Sequence, residues 1–234
     1  MGDLRGGPVT GTKAYSNTMR STELTFIRHG ETDWNRQQRF QGQIDVPLNA
    51  LGQQQAAMLA QRLAGDAPDV LVSSDLLRTR ETSAHLARAW SRTALLDAGL
   101  REQHFGLFEG LDVPTIKAQH ADLWQHWLEH RADFALPGGE SLMQFHRRVL
   151  GAVKALAEQH AGRRLAIVTH GGVLDMLWRS AHGLPIAGLR SCDIPNTGIN
   201  RLRWLNGGLV IDAWGDAAHL DGMAAQPDTA AGER

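Results

Sequence analysis

The stretch Leu24-Thr25-Phe26-Ile27-Arg28-His29-Gly30-Glu31-Thr32 decides the fold. Its first four residues are apolar, aromatic or β-branched, the composition of a short buried strand. Gly30 reads as the sharp turn that ends the strand. Arg28 and His29 therefore stand at the carboxyl end of a first strand, where open α/β sheets gather their ligands. A histidine can attack phosphorus, and an arginine can clamp phosphate oxygens with two parallel hydrogen bonds. The pair points to phosphoryl chemistry.

The same pattern recurs downstream. Val70-Leu71-Val72 reads as a second buried strand that leads to Ser73-Ser74-Asp75, and Leu165-Ala166-Ile167-Val168 as a third that ends at Thr169-His170-Gly171-Gly172. Leu95-Leu96 is a weak strand, and Ile199–Trp204 and Leu209–Trp214 pair around the turn Asn206-Gly207-Gly208. Helices fill the intervals. Asn49 caps one through about Ala64, and a second follows Asp75 to about Trp90. Ser141 and Gln144 form a capping box for a long helix whose buried stripe is Leu142, Phe145, Val149, Val153 and Leu156. Another helix follows Gly172 to about His182. Residues 111–136 form a helical excursion with Trp124, Trp127 and Leu128 at helical spacing. Strands alternating with helices imply an α/β three-layer sandwich. Its mostly parallel, doubly wound sheet would carry helices on both faces, with the excursion over the active site.

Composition bounds the function. The net charge of −1 leaves no bulk field to draw nucleic acid or anionic lipid, so any anion site is local. The single cysteine, Cys192, permits no internal disulfide and fits a reducing, cytoplasmic setting. No apolar run approaches the roughly 18 residues of a membrane helix. Residues 1–22, rich in Gly, Ser and Thr, lack the apolar core of a secretory signal and read as a disordered extension. Met19 is a possible start of the native chain. Residues 23–215 read as one catalytic domain and 216–234 as a largely flexible tail. Oligomeric state is not legible.

Four segments bring polar groups to strand ends: Arg28-His29, Ser74-Asp75 with Arg78 one turn into its helix, Glu102 after Leu100, and His170. Phosphoryl transfer asks mainly for positioning and charge neutralisation, which two arginines and two histidines supply without a metal. Gly171 and Gly172 allow backbone N–H groups at a helix N-terminus to face the anion. Arg80 lies about 200° around the helix from Arg78, so only one of them can face the site. Glu81 and Glu109 read as structural, and so does Glu31. No His-x-His, His-Glu-x-x-His or cysteine pair suggests a metal site.

These residues resemble the signature of the histidine phosphatase superfamily, the phosphoglycerate-mutase-like proteins. Arg28-His29-Gly30-Glu31-Thr32 with Trp34-Asn35 matches the first motif. Gln41-Gly42, Asp45, Pro47-Leu48 and Gly52 resemble the segment leading to the first helix, and Ser74-Asp75-Leu76-Leu77-Arg78 with Thr82 the second motif. Glu102 with Phe105-Gly106 and Glu109-Gly110, Pro137-Gly138-Gly139-Glu140-Ser141, and Thr169-His170-Gly171-Gly172 complete the order. The resemblance covers about residues 23–215.

It implies that His29 is the nucleophile and passes through a phosphohistidine. Arg28, Arg78 and His170 would hold the phosphoryl oxygens, with Asn35 assisting. Thr32, Gln41, Gly42 and Gly171 would add substrate contacts. Glu102 would protonate the leaving oxygen and then help activate water, which requires it to start protonated, held so by partial burial and the incoming phosphate. His29 must be neutral at its attacking nitrogen, with the other nitrogen donating to a backbone carbonyl. No cofactor is implied, and the expected partner is a small phosphorylated substrate. Mutases of the family carry a longer, more basic segment between the acid and the second histidine. Here Glu102 and His170 are only 68 positions apart with one lysine, Lys117, between them. The run Glu102–Gly110 resembles the phosphatase branch, so hydrolysis is favoured over mutase activity and over phospho-ligand binding.

Overall fold

A computed structural model describes residues 21–223. The extension up to residue 20, the start at Met19 and the end of the tail from residue 224 lie outside the described residues. The elements in chain order are β1 (Thr22–Arg28), α1 (Asp33–Arg36), α2 (Ala50–Leu63), β2 (Val70–Ser73), α3 (Leu77–Trp90), β3 (Ala94–Leu96), α4 (Val113–Gln119), α5 (Ala121–Leu128), α6 (Leu142–Gln159), β4 (Arg164–Thr169), α7 (Gly171–His182), β5 (Ile199–Leu205) and β6 (Gly208–Asp216).

Six strands form one sheet in the order β3-β2-β4-β1-β5-β6. The first four run parallel, and β5 and β6 close it as an antiparallel hairpin. Side chains alternate across the sheet, which produces two cores. Leu24, Phe26, Val72, Leu165 and Ile167 pack with Phe145, Val149 and Val153 of α6 and Leu174 and Leu177 of α7. Ile27, Leu71, Ala166 and Val168 face the other way, against Leu59 and Leu63 of α2 and Leu86 and Trp90 of α3. This is the three-layer sandwich with helices on both faces. The capping box of α6 forms as the sequence implies, with Ser141 Oγ accepting from Gln144 N at 3.3 Å and Gln144 Oε1 from Ser141 N at 2.8 Å.

Three details depart from the sequence reading. The excursion is two short helices, α4 and α5, and Leu128 is exposed instead of inward. Trp124 is buried in a separate apolar cluster with Phe40, Phe105, Phe108, Ile116 and Leu136. The flexible tail does not begin at 216. Asp216 closes β6 and pairs with Arg62 at 2.5 Å, a short turn follows over Ala218–Leu220, and His219 Nε2 lies 3.0 Å from Thr197 Oγ1. The burial of Leu220 keeps that segment against the domain. At the other end Thr22 already belongs to β1, its hydroxyl donating to Ala157 O at 2.9 Å.

Candidate active site

Strand register brings the two histidines together. Arg28 on β1 pairs with Thr169 on β4, so the residues that follow, His29 and His170, leave the sheet side by side. His29 N donates to Thr169 O at 2.9 Å, and the two imidazole centroids lie 5.3 Å apart. On the far side of β4, Ser74 N donates to Val168 O at 2.9 Å, which sets Ser74 Oγ 2.9 Å from His170 Nε2. Two strand ends more than a hundred residues apart thus become one site.

Around His29 the backbone is tightly tied. Its Nδ1 donates to Gly30 O at 2.7 Å, which fixes the tautomer and leaves Nε2 as the nitrogen with a lone pair. Burial, then the charges of Arg78 and Arg28, hold its pKa well below the ordinary histidine value, against a smaller raising effect of the Gly30 carbonyl. His29 is therefore neutral near pH 7. His170 is depressed as well, by burial first and then by Arg78, His29, Arg28 and Arg148. Its Nδ1 is buried without a hydrogen-bond partner.

A cleft opens over His29, lined among others by Arg28, Trp34, Asn35, Gln41, Gly42, Arg78, Glu102 and Phe105. Arg78 is 1% exposed, while Arg80 is exposed, so Arg78 is the one that faces the site. Burial lowers the Arg78 pKa to about 10, which leaves it a cation at neutral pH. Its Nη1 and Nη2 donate to Ile44 O at 3.0 Å and Gly42 O at 2.7 Å, and its buried Nε has no partner. Gly42 takes φ of +50°, a conformation that favours glycine. Arg28 is 4% exposed and donates from Nη1 to Ile194 O at 2.6 Å.

Glu102 reaches the same cleft on a stapled segment. Its Oε1 accepts from Gln103 N and its Oε2 from Gly172 N, both at 2.9 Å. Its backbone carbonyl accepts from Gln43 Nε2 at 3.2 Å and Arg148 Nη2 at 3.1 Å. Both carboxyl oxygens act as acceptors.

Of the residues expected from sequence, Arg28, His29, Asn35, Gln41, Gly42, Arg78 and Glu102 line the cleft together, with His170 in ring contact with His29. Asn35 Oδ1 accepts from Thr32 N and Thr32 Oγ1, both at 3.0 Å, so any contact of its amide with an anion comes from the donor end, Nδ2. Gln41 is buried and its Oε1 has no partner. Thr32 is not on the lining. Its hydroxyl caps α1 in a box with Asn35. Gly171 is off the lining too, although a Cβ there would lie 3.6 Å from both the Arg28 guanidinium carbon and Arg190 Nη2. The acids read as structural are so: Glu109 Oε1 accepts from Gln43 N and Phe105 N, Glu81 Oε2 from Leu48 N, and Glu31 Oε1 from Asn49 Nδ2. Burial pushes the Cys192 thiol up to about 12, which keeps it protonated.

Sequence reasoning missed the supports. Asn196 Nδ2 donates to His29 O at 2.8 Å and Thr197 N to Arg28 O at 3.0 Å, so the turn before β5 holds the backbone of both residues. The turn chemistry of Pro195-Asn196-Thr197-Gly198 was the available signal. Arg148 of α6 ties down the Glu102 segment through Gly99 O, Arg101 O and Glu102 O and pairs with Glu140. Arg190, Gln38 and Arg39 carried no local signal of their positions.

Chemically, the arrangement can hold a tetrahedral anion between buried guanidinium groups in front of a neutral imidazole nitrogen. A carboxyl group lies beside it to exchange a proton.

Comparison with known proteins agrees. A profile of the histidine phosphatase superfamily (branch 1) matches residues 24–217. The chain is 34% identical to a probable phosphoglycerate mutase of Escherichia fergusonii over 86% of this chain and 96% of that protein. It is 36% identical to the phosphoglycerate mutase-like protein 4 of Arabidopsis thaliana, over 85% and 87%. Among solved structures, YhfR of Bacillus stearothermophilus superposes with a TM-score of 0.80 at 30% identity, covering 86% of this chain and all of that one. A mycobacterial glucosyl-3-phosphoglycerate phosphatase superposes with a TM-score of 0.74 at 30% identity, covering 84% and 99%. The chain belongs to branch 1 of the histidine phosphatase superfamily.

Proposed function

We propose that this protein is a cytoplasmic, metal-independent phosphatase that hydrolyses small phosphomonoesters through a phosphohistidine on His29. The observation that carries the reading is the Nδ1–Gly30 hydrogen bond of 2.7 Å, which presents Nε2 of a neutral imidazole beneath two arginines. In the first step Nε2 attacks phosphorus, and the bond to the leaving oxygen breaks as Glu102 donates a proton to it. In the second step water attacks the phosphohistidine, Glu102 takes its proton, and the P–N bond breaks to release phosphate. Arg28 and Arg78 neutralise the equatorial oxygens, the task that dominates phosphoryl transfer, and His170 holds them as a neutral imidazole. Asn35 Nδ2 adds a donor.

A mutase reading follows from the names of the relatives in Escherichia fergusonii and Arabidopsis thaliana. The phosphatase reading is supported by the short span between Glu102 and His170 and by the printed activities of structural neighbours, including a phosphoserine phosphatase of Entamoeba histolytica at 25% identity and a TM-score of 0.75. The test measures phosphate release from a panel of phosphomonoesters that includes 3-phosphoglycerate, in excess EDTA, with 2-phosphoglycerate formation followed in parallel. Release by the native protein and not by His29→Ala supports the phosphatase. Isomerisation without release supports the mutase. Release that persists in His29→Ala refutes the covalent role of His29.

A further inference from the structure

Residues 193–198 run from the loop after α7 into β5 and lie against the backbone of the nucleophile. Arg28 N donates to Gly198 O at 3.4 Å, Thr197 N to Arg28 O at 3.0 Å, and Asn196 Nδ2 to His29 O at 2.8 Å. The Arg28 side chain donates to Ile194 O of the same segment at 2.6 Å. Both the place of the His29 backbone and the aim of the Arg28 guanidinium therefore depend on this turn.

The turn does not keep its shape by local preference. Thr197 is fully buried at φ of +54°, in the left-handed region that a β-branched residue avoids. Such a conformation persists only where the surroundings impose it. The end of β6 and the segment after it do so. Trp214 Nε1 donates to Asp193 O ahead of the turn, and Gly215 N to Asn200 Oδ1 behind it, both at 2.9 Å. Between these anchors, His219 Nε2 lies 3.0 Å from the hydroxyl of Thr197 itself, at hydrogen-bond distance.

His219 is fixed from behind. Asp216 Oδ1 accepts from Ala218 N at 3.1 Å, and Asp216 Oδ2 pairs with Arg62 of α2 at 2.5 Å. The short turn Ala218–Leu220 packs on α2, with Leu220 buried. Burial, then the charge of Arg62, hold the imidazole below the ordinary histidine value against Asp216 and Asp221, so it meets the hydroxyl as a neutral ring. His219 lies beyond residue 217, where the match to the family ends.

We infer that His219 is a positioning residue for the reaction at His29: through the Thr197 hydroxyl it holds the turn whose donors fix the backbone of Arg28 and His29. The inference rests on the phosphatase reading above. Attack on phosphorus tolerates little displacement of the His29 imidazole. A loosened turn therefore costs more in turnover than in binding, which Arg78 and Asn35 support from other elements.

Turnover is measured on whichever phosphomonoester of the panel above the native protein hydrolyses fastest, with His219→Ala and His219→Gln, each checked for folding by urea unfolding. Gln carries an amide that can donate to or accept from the hydroxyl. His219→Ala should lower kcat by roughly three- to tenfold with KM changed less than about twofold, and His219→Gln should restore most of the loss. Thr197→Ala keeps the backbone N–H and removes the hydroxyl; in that background His219→Ala should cost less than about a further twofold. A native kcat in His219→Ala overturns the inference. So does a loss that Gln does not restore, or one equally large without the Thr197 hydroxyl, since either makes His219 a packing residue only. Each of those results leaves the phosphatase reading standing. Failure of the native protein to release phosphate from any member of the panel, or release that persists in His29→Ala, overturns both.

Discussion

The field that keeps His29 neutral must appear in the pH dependence of stability. His29 and His170 are buried, and burial with nearby arginines holds both well below the ordinary value of 6.5. In the unfolded chain each titrates near that value, so on acidification the unfolded state binds protons that the folded state refuses. A lowered histidine therefore contributes stability that is complete above 6.5 and declines as pH falls below it. Between pH 7.5 and 5.5 the folded sites stay neutral, and each histidine costs about 1.4 kcal/mol at the lower pH. The pair costs about 2.8 kcal/mol. His85, His130, His146 and His219 are lowered less completely buried, and they add in the same direction. Asp66 and Asp75 are also depressed, but their contribution is lost only as pH falls through the carboxylate range, below this window. Urea unfolding at the two pH values, with m unchanged, measures the difference. His29→Asn and His170→Asn should each remove about half of the pair's share. A total change under about 1 kcal/mol, or one that both substitutions leave intact, refutes the claim that these imidazoles are neutral in the folded protein.

Three further outcomes follow from the same geometry. Glu102→Gln should lower kcat by about 10²–10³-fold on alkyl phosphates and much less on p-nitrophenyl phosphate, whose leaving group needs no proton; equal losses on both would remove Glu102 from the acid role. Gly172→Ala places a Cβ against Glu102 Oε1, with Phe145 Cε1 3.2 Å away, so it should displace the carboxyl group and reduce kcat on alkyl phosphates while the fold persists in circular dichroism. Ser74→Ala removes the oxygen 2.9 Å from His170 Nε2 and should lower kcat/KM by roughly three- to tenfold, a loss that Ser74→Thr partly restores.

The legible part of this fold was local. β1, β2 and β4 announce themselves as apolar runs of a few residues, and the caps at Asn49 and Ser141 lie within four residues of the N–H groups they satisfy. Helical geometry lets only one of Arg78 and Arg80 face the site, the motif match favours Arg78, and their burial agrees. Thr32, which the sequence places as support for the loop or helix start beside a phosphate contact, closes a capping box with Asn35. The local logic erred at residue 216, because a polar sequence does not reveal that Leu220 finds a buried place.

By itself, the amino-acid sequence determined which chemical groups stand at strand ends, the alternation of strands and helices, and the order of motifs that marks the family. These depend on interactions within about four residues, whose energies are set by neighbours in the chain. Tertiary structure alone decided what those groups do to one another. The pairing of Arg28 with Thr169 sets two imidazoles 5.3 Å apart, Ser74 orients a histidine 96 positions away, and Gly172 holds a carboxyl group 70 positions away. Asn196, Arg148 and His219 likewise find their partners only once the sheet has its register and the helices have packed on it. Contacts across such separations leave no periodicity in the chain, because strand order and packing, not neighbouring residues, bring their members together.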